Sequence, residues 1–193
     1  MSRTPRLFAV TAVRALSVLV VAVVFATLPV WNVSDSKAES PPISDSQAKA
    51  AFLVNIIKYV TWSQESKLSR NIDVGVLGRQ ASLDVWKGLN GKVVNGRKLN
   101  LLVSSDLDDL TGCQVIFIDA SAIKQFTRTL SHLRGEPVLT VSDVEGVNPL
   151  NGAMVNLTIR RGRLSFTVNL KELRASGLQI SSNVLKLATE VLK

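Results

Sequence analysis

Two short runs constrain the fold more than anything else in this chain: Val115–Ile118 (VIFI) and Val138–Val141 (VLTV). Both are mostly apolar and rich in β-branched residues. A strand with one wet face would alternate apolar and polar positions, so these runs predict central strands covered on both faces. Between them, Ala120–Leu133 places Ile123, Phe126, Leu130 and Leu133 at helical spacing. Strand, helix, strand in this order is a crossover unit, and it predicts a parallel or mixed sheet.

The rest of the chain extends that pattern. A helix begins at Ser44 or Asp45, either of which can cap it. Its segment Ala50–Val60 (AAFLVNIIKYV) is broken only by Asn55 and Lys58. A helix so nearly apolar all round is buried on two sides or is an interface. A strand is expected at Ile72–Leu77, then a helix at Ala81–Leu89 with Leu83, Val85, Trp86 and Leu89 inward. Asn95-Gly96 is a tight-turn dipeptide leading into a strand at Leu99–Val103. Ala153–Ile159 and Leu164–Asn169 alternate strictly about Arg161-Gly162, which predicts an antiparallel hairpin with one wet face. Next is a helix at Leu170–Ala175, stopped by Gly177. A last helix from Ser182 is expected to align Val184, Leu187, Ala188 and Val191. The expected fold is α/β: a mixed, mostly parallel six-stranded sheet with a hairpin at one edge, flanked by about five helices.

The first 38 residues read as a targeting segment. Arg3, Arg6 and Arg14 precede an uncharged stretch, Ala15–Val30, and Ser36-Lys37-Ala38 offers a small-x-small cleavage site. The competing reading is an uncleaved anchor at residues 15–33, whose length is near that of a membrane span. Either way the arginines send the remainder of the chain outward. Residues 39–44, with Pro41 and Pro42, read as a linker before one domain at 45–193. Loss of residues 1–38 removes four bases and one acid, and the formal net charge falls from +8 to +5. So modest a positive charge gives no reason to expect nucleic acid as a partner.

One cysteine (Cys113) and one histidine (His132) exclude an intramolecular disulfide and any structural zinc site needing several such ligands. No cofactor is expected. His132, Ser142 and Asp143 do not make a hydrolase triad, because there is no G-x-S-x-G elbow and adjacent strand residues face opposite ways. Asp106, Asp108 and Asp109 lack the glycine and glutamate of a calcium loop. No paired carboxylates suggest acid/base chemistry, so the chain is not expected to be an enzyme. Contact surfaces remain. Ser142, Asp143, Gly146 and Asn151 form a loop after a central strand, where α/β folds place ligands. Arg163 and Asn169, on the polar face of the hairpin, form a second candidate contact. The basic turn Arg160, Arg161, Arg163 suits a solvated turn or an anionic partner.

Several stretches together resemble the YfiR-like family of periplasmic proteins. They run from Lys49-Ala50-Ala51-Phe52 and Lys58-Tyr59-Val60-Thr61-Trp62, through Cys113-Gln114-Val115-Ile116-Phe117-Ile118 and Val138-Leu139-Thr140-Val141-Ser142-Asp143, to Gly162–Leu170, Gly177–Ser182 and Leu185-Lys186-Leu187-Ala188. The resemblance spans about residues 45–191. It implies a non-catalytic regulator in the periplasm of a Gram-negative bacterium, often a homodimer. Such a protein represses a membrane-bound diguanylate cyclase by binding its periplasmic sensor domain, and so controls cyclic di-GMP and biofilm formation. It also implies an outer-envelope lipoprotein able to sequester the repressor. The best-known member carries two disulfides. Here Cys113 matches one family cysteine, its partner position holds Gly75, and the second pair, expected around 147–153, is absent. The alternative reading is a periplasmic small-molecule-binding module of a transport or histidine-kinase system, which predicts a deep pocket near Ser142–Asn151.

Overall fold

The computed structural model describes residues 44–63, 70–79 and 83–193; the signal, the anchor at 15–33 and residues 39–43 of the linker lie outside these. The elements run α1 (Asp45–Lys58), β1 (Val60–Trp62), β2 (Asn71–Leu77), α2 (Leu83–Lys87), β3 (Val93–Val94), β4 (Arg97–Ser104), β5 (Val115–Ile118), α3 (Phe126–Leu133), β6 (Leu139–Ser142), β7 (Val155–Arg160), β8 (Arg163–Asn169), α4 (Leu170–Ala175), β9 (Leu178–Ile180), α5 (Ser182–Leu185) and β10 (Glu190–Leu192). The expected class is therefore correct. The expected helix at Ala81–Leu89 is shorter, and its residues 81 and 82 lie outside the described part.

The main sheet has eight strands in the order β10-β8-β7-β6-β5-β2-β4-β3, and β1 pairs with β9 in a separate ribbon. Within the main sheet only β3–β4 and β7–β8 are antiparallel. Two expectations are corrected here. The strand count rises from six, because β1, β3, β9 and β10 are two or three residues long and show no sequence period. The hairpin β7–β8 is not at the edge, since β10 pairs in parallel with β8 beyond it.

β10 also replaces the C-terminal half of the expected last helix. α5 is a single turn, Ser182–Leu185. The backbone N–H and hydroxyl of Thr189 both donate to the Phe166 carbonyl, at 2.9 and 2.8 Å, and lock the chain onto the sheet. Leu187 is then 75% exposed instead of facing inward. Both tight turns form as expected: Asn95-Gly96 and Arg161-Gly162 carry positive φ at each residue (50° and 77°, 52° and 71°), the geometry that matches strand twist.

The sheet separates two apolar layers. On one face Ile72, Val74 and Val76 of β2, Val115 and Phe117 of β5, and Leu139 and Val141 of β6 meet Leu53, Ile56 and Ile57 of α1 and Trp86 of α2. Ser44 anchors the start of α1 through a capping box with Gln47. On the other face Leu77, Ile116 and Ile118 meet Leu110, Ala122, Phe126 and Leu133. The helix expected from Ala120 starts as a 3-10 segment, Ala120–Gln125. At three residues per turn, Ala122 takes the inward place and Ile123 turns out, 55% exposed.

Candidate functional site

The chain winds outward from β2 in two directions, to β4 on one side and to β5 and β6 on the other. The carboxyl ends of these strands therefore form the crevice where such folds usually hold ligands. Here the loops after β2 and β5 are tied to each other by their own side chains. Asp119, just after β5, accepts hydrogen bonds from the Ser121 backbone N–H (2.9 Å) and hydroxyl (2.5 Å). The Arg79 N–H donates to Ser121 Oγ at 2.8 Å. A side chain on Gly78 would place its Cβ 2.7 Å from that of Asp119, so the loops after β2 and β5 need a glycine there to approach.

Asp143 lies beside this cluster, just after β6. Its carboxylate pairs with Lys49 Nζ of α1 at 2.5 Å, with only 5% of the Asp143 side chain and 23% of the Lys49 side chain exposed. Burial pushes the Asp143 carboxyl above its ordinary value, and the Asp119 carboxylate adds to this. The hydrogen bond and charge of Lys49 oppose it, with a smaller pull from the Ala120 N–H. Among the described residues Asp143 Oδ1 accepts no hydrogen bond of normal geometry. No sequence pattern links Lys49 to Asp143, because α1 is docked onto the loop by tertiary packing alone.

The other candidates do not gather into one surface. Ser142 is fully buried, and its hydroxyl accepts from the Val144 N–H at 3.0 Å. Gly146 is exposed with φ +75° and open space around it. Asn151 ends a 3-10 turn, Pro149–Asn151. The cavity touching Leu150, Asn151 and Gly152 holds about 40 Å³, room for a few waters rather than a metabolite. The deep pocket predicted near Ser142–Asn151 is therefore not what this cavity provides.

Arg163 is exposed at the start of β8, across from Arg160. Asn169, at the far end of the same strand, was expected on a wet face but is buried. Its Oδ1 caps α4 by accepting the Glu172 N–H at 3.1 Å, and its Nδ2 donates to the Leu150 carbonyl at 3.5 Å. The loop before β7 accounts for this burial: Asn156, on the same polar face, exchanges hydrogen bonds with both Ala153 backbone groups. Asn169→Ala is expected to cost about 1–2 kcal/mol, as loss of a helix N-cap does. An unchanged midpoint in a urea titration would refute the capping role.

A further surface, which the sequence flagged only indirectly, is apolar. A groove of about 380 Å³ runs between Phe52 and Ile56 of α1, Tyr59 at its C-terminal cap, Leu164 and Phe166 of β8, and Leu187. Phe52 and Phe166 form its floor, their ring centroids 4.9 Å apart. Tyr59 and Leu187, 49% and 75% exposed, form its rim. The all-apolar reading of Ala50–Val60 was the signal for it: α1 buries one side in the core and offers another here. Among the described residues no group of three or more His, Cys, Asp or Glu is placed to hold a metal ion, and no helix is long and apolar enough to cross a membrane.

Gly75 and Cys113 meet on the smaller apolar layer, where a Cβ on Gly75 would lie 3.2 Å from Cys113 Sγ. Burial, aided by the Asp73 carboxylate, pushes this thiol up to about 11. It is therefore protonated and unreactive at neutral pH. A family model described as YfiR/HmsC-like matches residues 46–189.

Proposed function

The chain belongs to the YfiR/HmsC-like family, a regulatory rather than catalytic family associated with control of diguanylate cyclases, and from that premise we propose that it represses a membrane-bound diguanylate cyclase by docking on the enzyme's periplasmic sensor domain. The observation that carries this reading is the apolar groove between α1 and β8. Large apolar side chains at the rim of an open groove are what a partner-binding surface presents, and burying a few of them on a partner supplies most of the affinity. Binding one arrangement of the sensor better than the other holds the cyclase in its inactive state. In this scheme the repressor is periplasmic and homodimeric, an outer-envelope lipoprotein competes for it, and its loss raises cyclic di-GMP and promotes biofilm.

The test is made in cells and on the purified protein. Tyr59→Glu and Leu187→Glu are each expected to weaken partner capture about 30-fold, a hot-spot loss of about 2 kcal/mol. Intracellular cyclic di-GMP should rise toward the level of a deletion strain. Fold stability should change by less than about 0.5 kcal/mol for Leu187→Glu, whose side chain is largely in solvent, and by somewhat more for Tyr59→Glu, whose side chain is half buried. Unchanged cyclic di-GMP on deletion, with no membrane partner recovered by crosslinking, would reject the proposal.

A further inference from the structure

A second cavity lies at the opposite end of the sheet from the crevice, against the amino ends of β5 and β6. It holds about 390 Å³, within the range of about 300–1,000 Å³ typical of ligand sites. Its wall is apolar, built from Leu110, Cys113, Ile116 and Val138. Its rim carries His132 and Glu136, both exposed. Neither side chain makes a hydrogen bond or ion pair with any described residue.

The wall is held by backbone bonds independent of any ligand. The N–H of Cys113 donates to Leu110 O at 3.2 Å, that of Gln114 to Asp73 O at 3.0 Å, and that of Leu139 to Gln114 O at 2.9 Å. The Pro137 carbonyl is taken by Trp62 Nε1 at 3.0 Å, and both polar ends of Gln114 are used, by the Asp73 N–H and the Gly112 carbonyl. Among the described residues Glu136 therefore remains as a free hydrogen-bonding anion at the mouth. Arg134, two residues before it, is directed at Glu172, with Nε 4.0 Å from its carboxylate. The Asp73 carboxylate adds negative potential at the wall, where it acts on Cys113.

We propose that this cavity binds a small aromatic or alkyl amine, its apolar body against Leu110, Cys113, Ile116 and Val138 and its ammonium group on Glu136. The apolar wall rewards burial of a hydrocarbon body in proportion to area. The unpaired carboxylate selects a cation over an anion of the same shape. The site shares no residue with the groove between α1 and β8, so a small effector and a protein partner can be held at once.

The experiment is an NMR titration of the purified protein with 2-phenylethylamine, and with 3-phenylpropionate as the anion of similar size. The amine should shift the backbone amides of Gly112, Gln114, Glu136 and Val138, with the anion binding at least about tenfold more weakly, the scale of one charge-assisted hydrogen bond. Glu136→Gln, at an exposed position, should weaken the amine about tenfold and leave the anion bound no more weakly than before. Thr111→Trp, on the exposed lip, should plug the cavity and abolish binding of both. Equal binding of amine and anion would overturn the assignment. So would no shift with millimolar amine, or shifts confined to Tyr59 and Leu187. Repression of the cyclase is not a readout here, so failure of this site and failure of the docking proposal are separate results.

Discussion

Lys49→Met is expected to destabilise the fold by about 3 kcal/mol at neutral pH. That is the low end of the loss when one partner of a buried ion pair is removed, because Lys49 keeps some contact with water. The cost comes from what stays behind, an Asp143 carboxylate almost wholly out of solvent and with one oxygen already unpaired. This fixes the sign of the pH dependence. A carboxyl whose folded value is raised above the unfolded one contributes stability that is present below the unfolded value, about 3.9, and is lost as pH rises through the folded value. Asp143 is such a group, and deleting Lys49 removes the two largest influences holding its value down. The variant's deficit should therefore be smallest near pH 4 and grow to a plateau by neutrality. Guanidinium titrations of both proteins across this range measure it directly. Adding Asp143→Asn to Lys49→Met should recover much of the loss at pH 7, since the amide carries no charge to strand. A deficit independent of pH, or no rescue by the amide, would show that Lys49 acts through packing of its methylenes rather than through the pair.

Gly75→Cys is expected to close a disulfide with Cys113 and raise stability by about 3–4 kcal/mol, the loop-entropy value for a ring of this length. A Cβ at position 75 lies 3.2 Å from Cys113 Sγ, close enough for one more sulfur to complete a bond of about 2.05 Å. The same Cβ would also lie 3.2 Å from Leu110 Cδ1 and 3.3 Å from its Cβ, so Leu110 must yield slightly. Gly75→Ala isolates that crowding and should be mildly destabilising. Because burial keeps the Cys113 thiol protonated, the bond should form readily only during folding under oxidising conditions or at high pH. Two free thiols after oxidative refolding, or a melting temperature indifferent to reductant, would sink the prediction. Gly75 and Cys113 are thus placed to carry a bridge, and only one of its sulfurs is absent.

Much of the fold is legible because sheet strands impose strong local patterns. VIFI and VLTV are covered on both faces, and no wet strand would tolerate them. Arg161-Gly162 and Asn95-Gly96 announce their turns because few residue pairs accept two left-handed conformations. The four strands of two or three residues are illegible for the converse reason, as they exist only through a neighbour already in place. β10 makes the point: Val184, Leu187 and Val191 are spaced for a helix, and pairing with β8 overrides that spacing. Ile123 faces outward because a 3-10 start shifts the phase of everything before Phe126.

The sites are less legible than the strands. Asp143 stands out in the sequence but Lys49 does not, since a contact between distant segments leaves no trace in either. Alternation puts Asn169 on a solvent face, whereas its position at a strand-to-helix junction makes it a cap. Topology directs attention to the carboxyl ends of the strands, where the chain's own hydroxyls and carboxylates bond to one another. A cavity of about 390 Å³ opens at the amino ends, where no spacing rule points.

The place of β2 at the middle of the sheet bears on how the molecule assembles. β4 and β5 both pair with it and both come after it in the chain, so the sheet must be laid down on this one ribbon in two directions. Each parallel neighbour arrives through a crossover, which makes early assembly entropically slow. Substitutions at Val74 and Val76 are therefore expected to slow refolding more than they speed unfolding. Interactions of the late-added β10 chiefly govern how long the finished molecule persists before it opens.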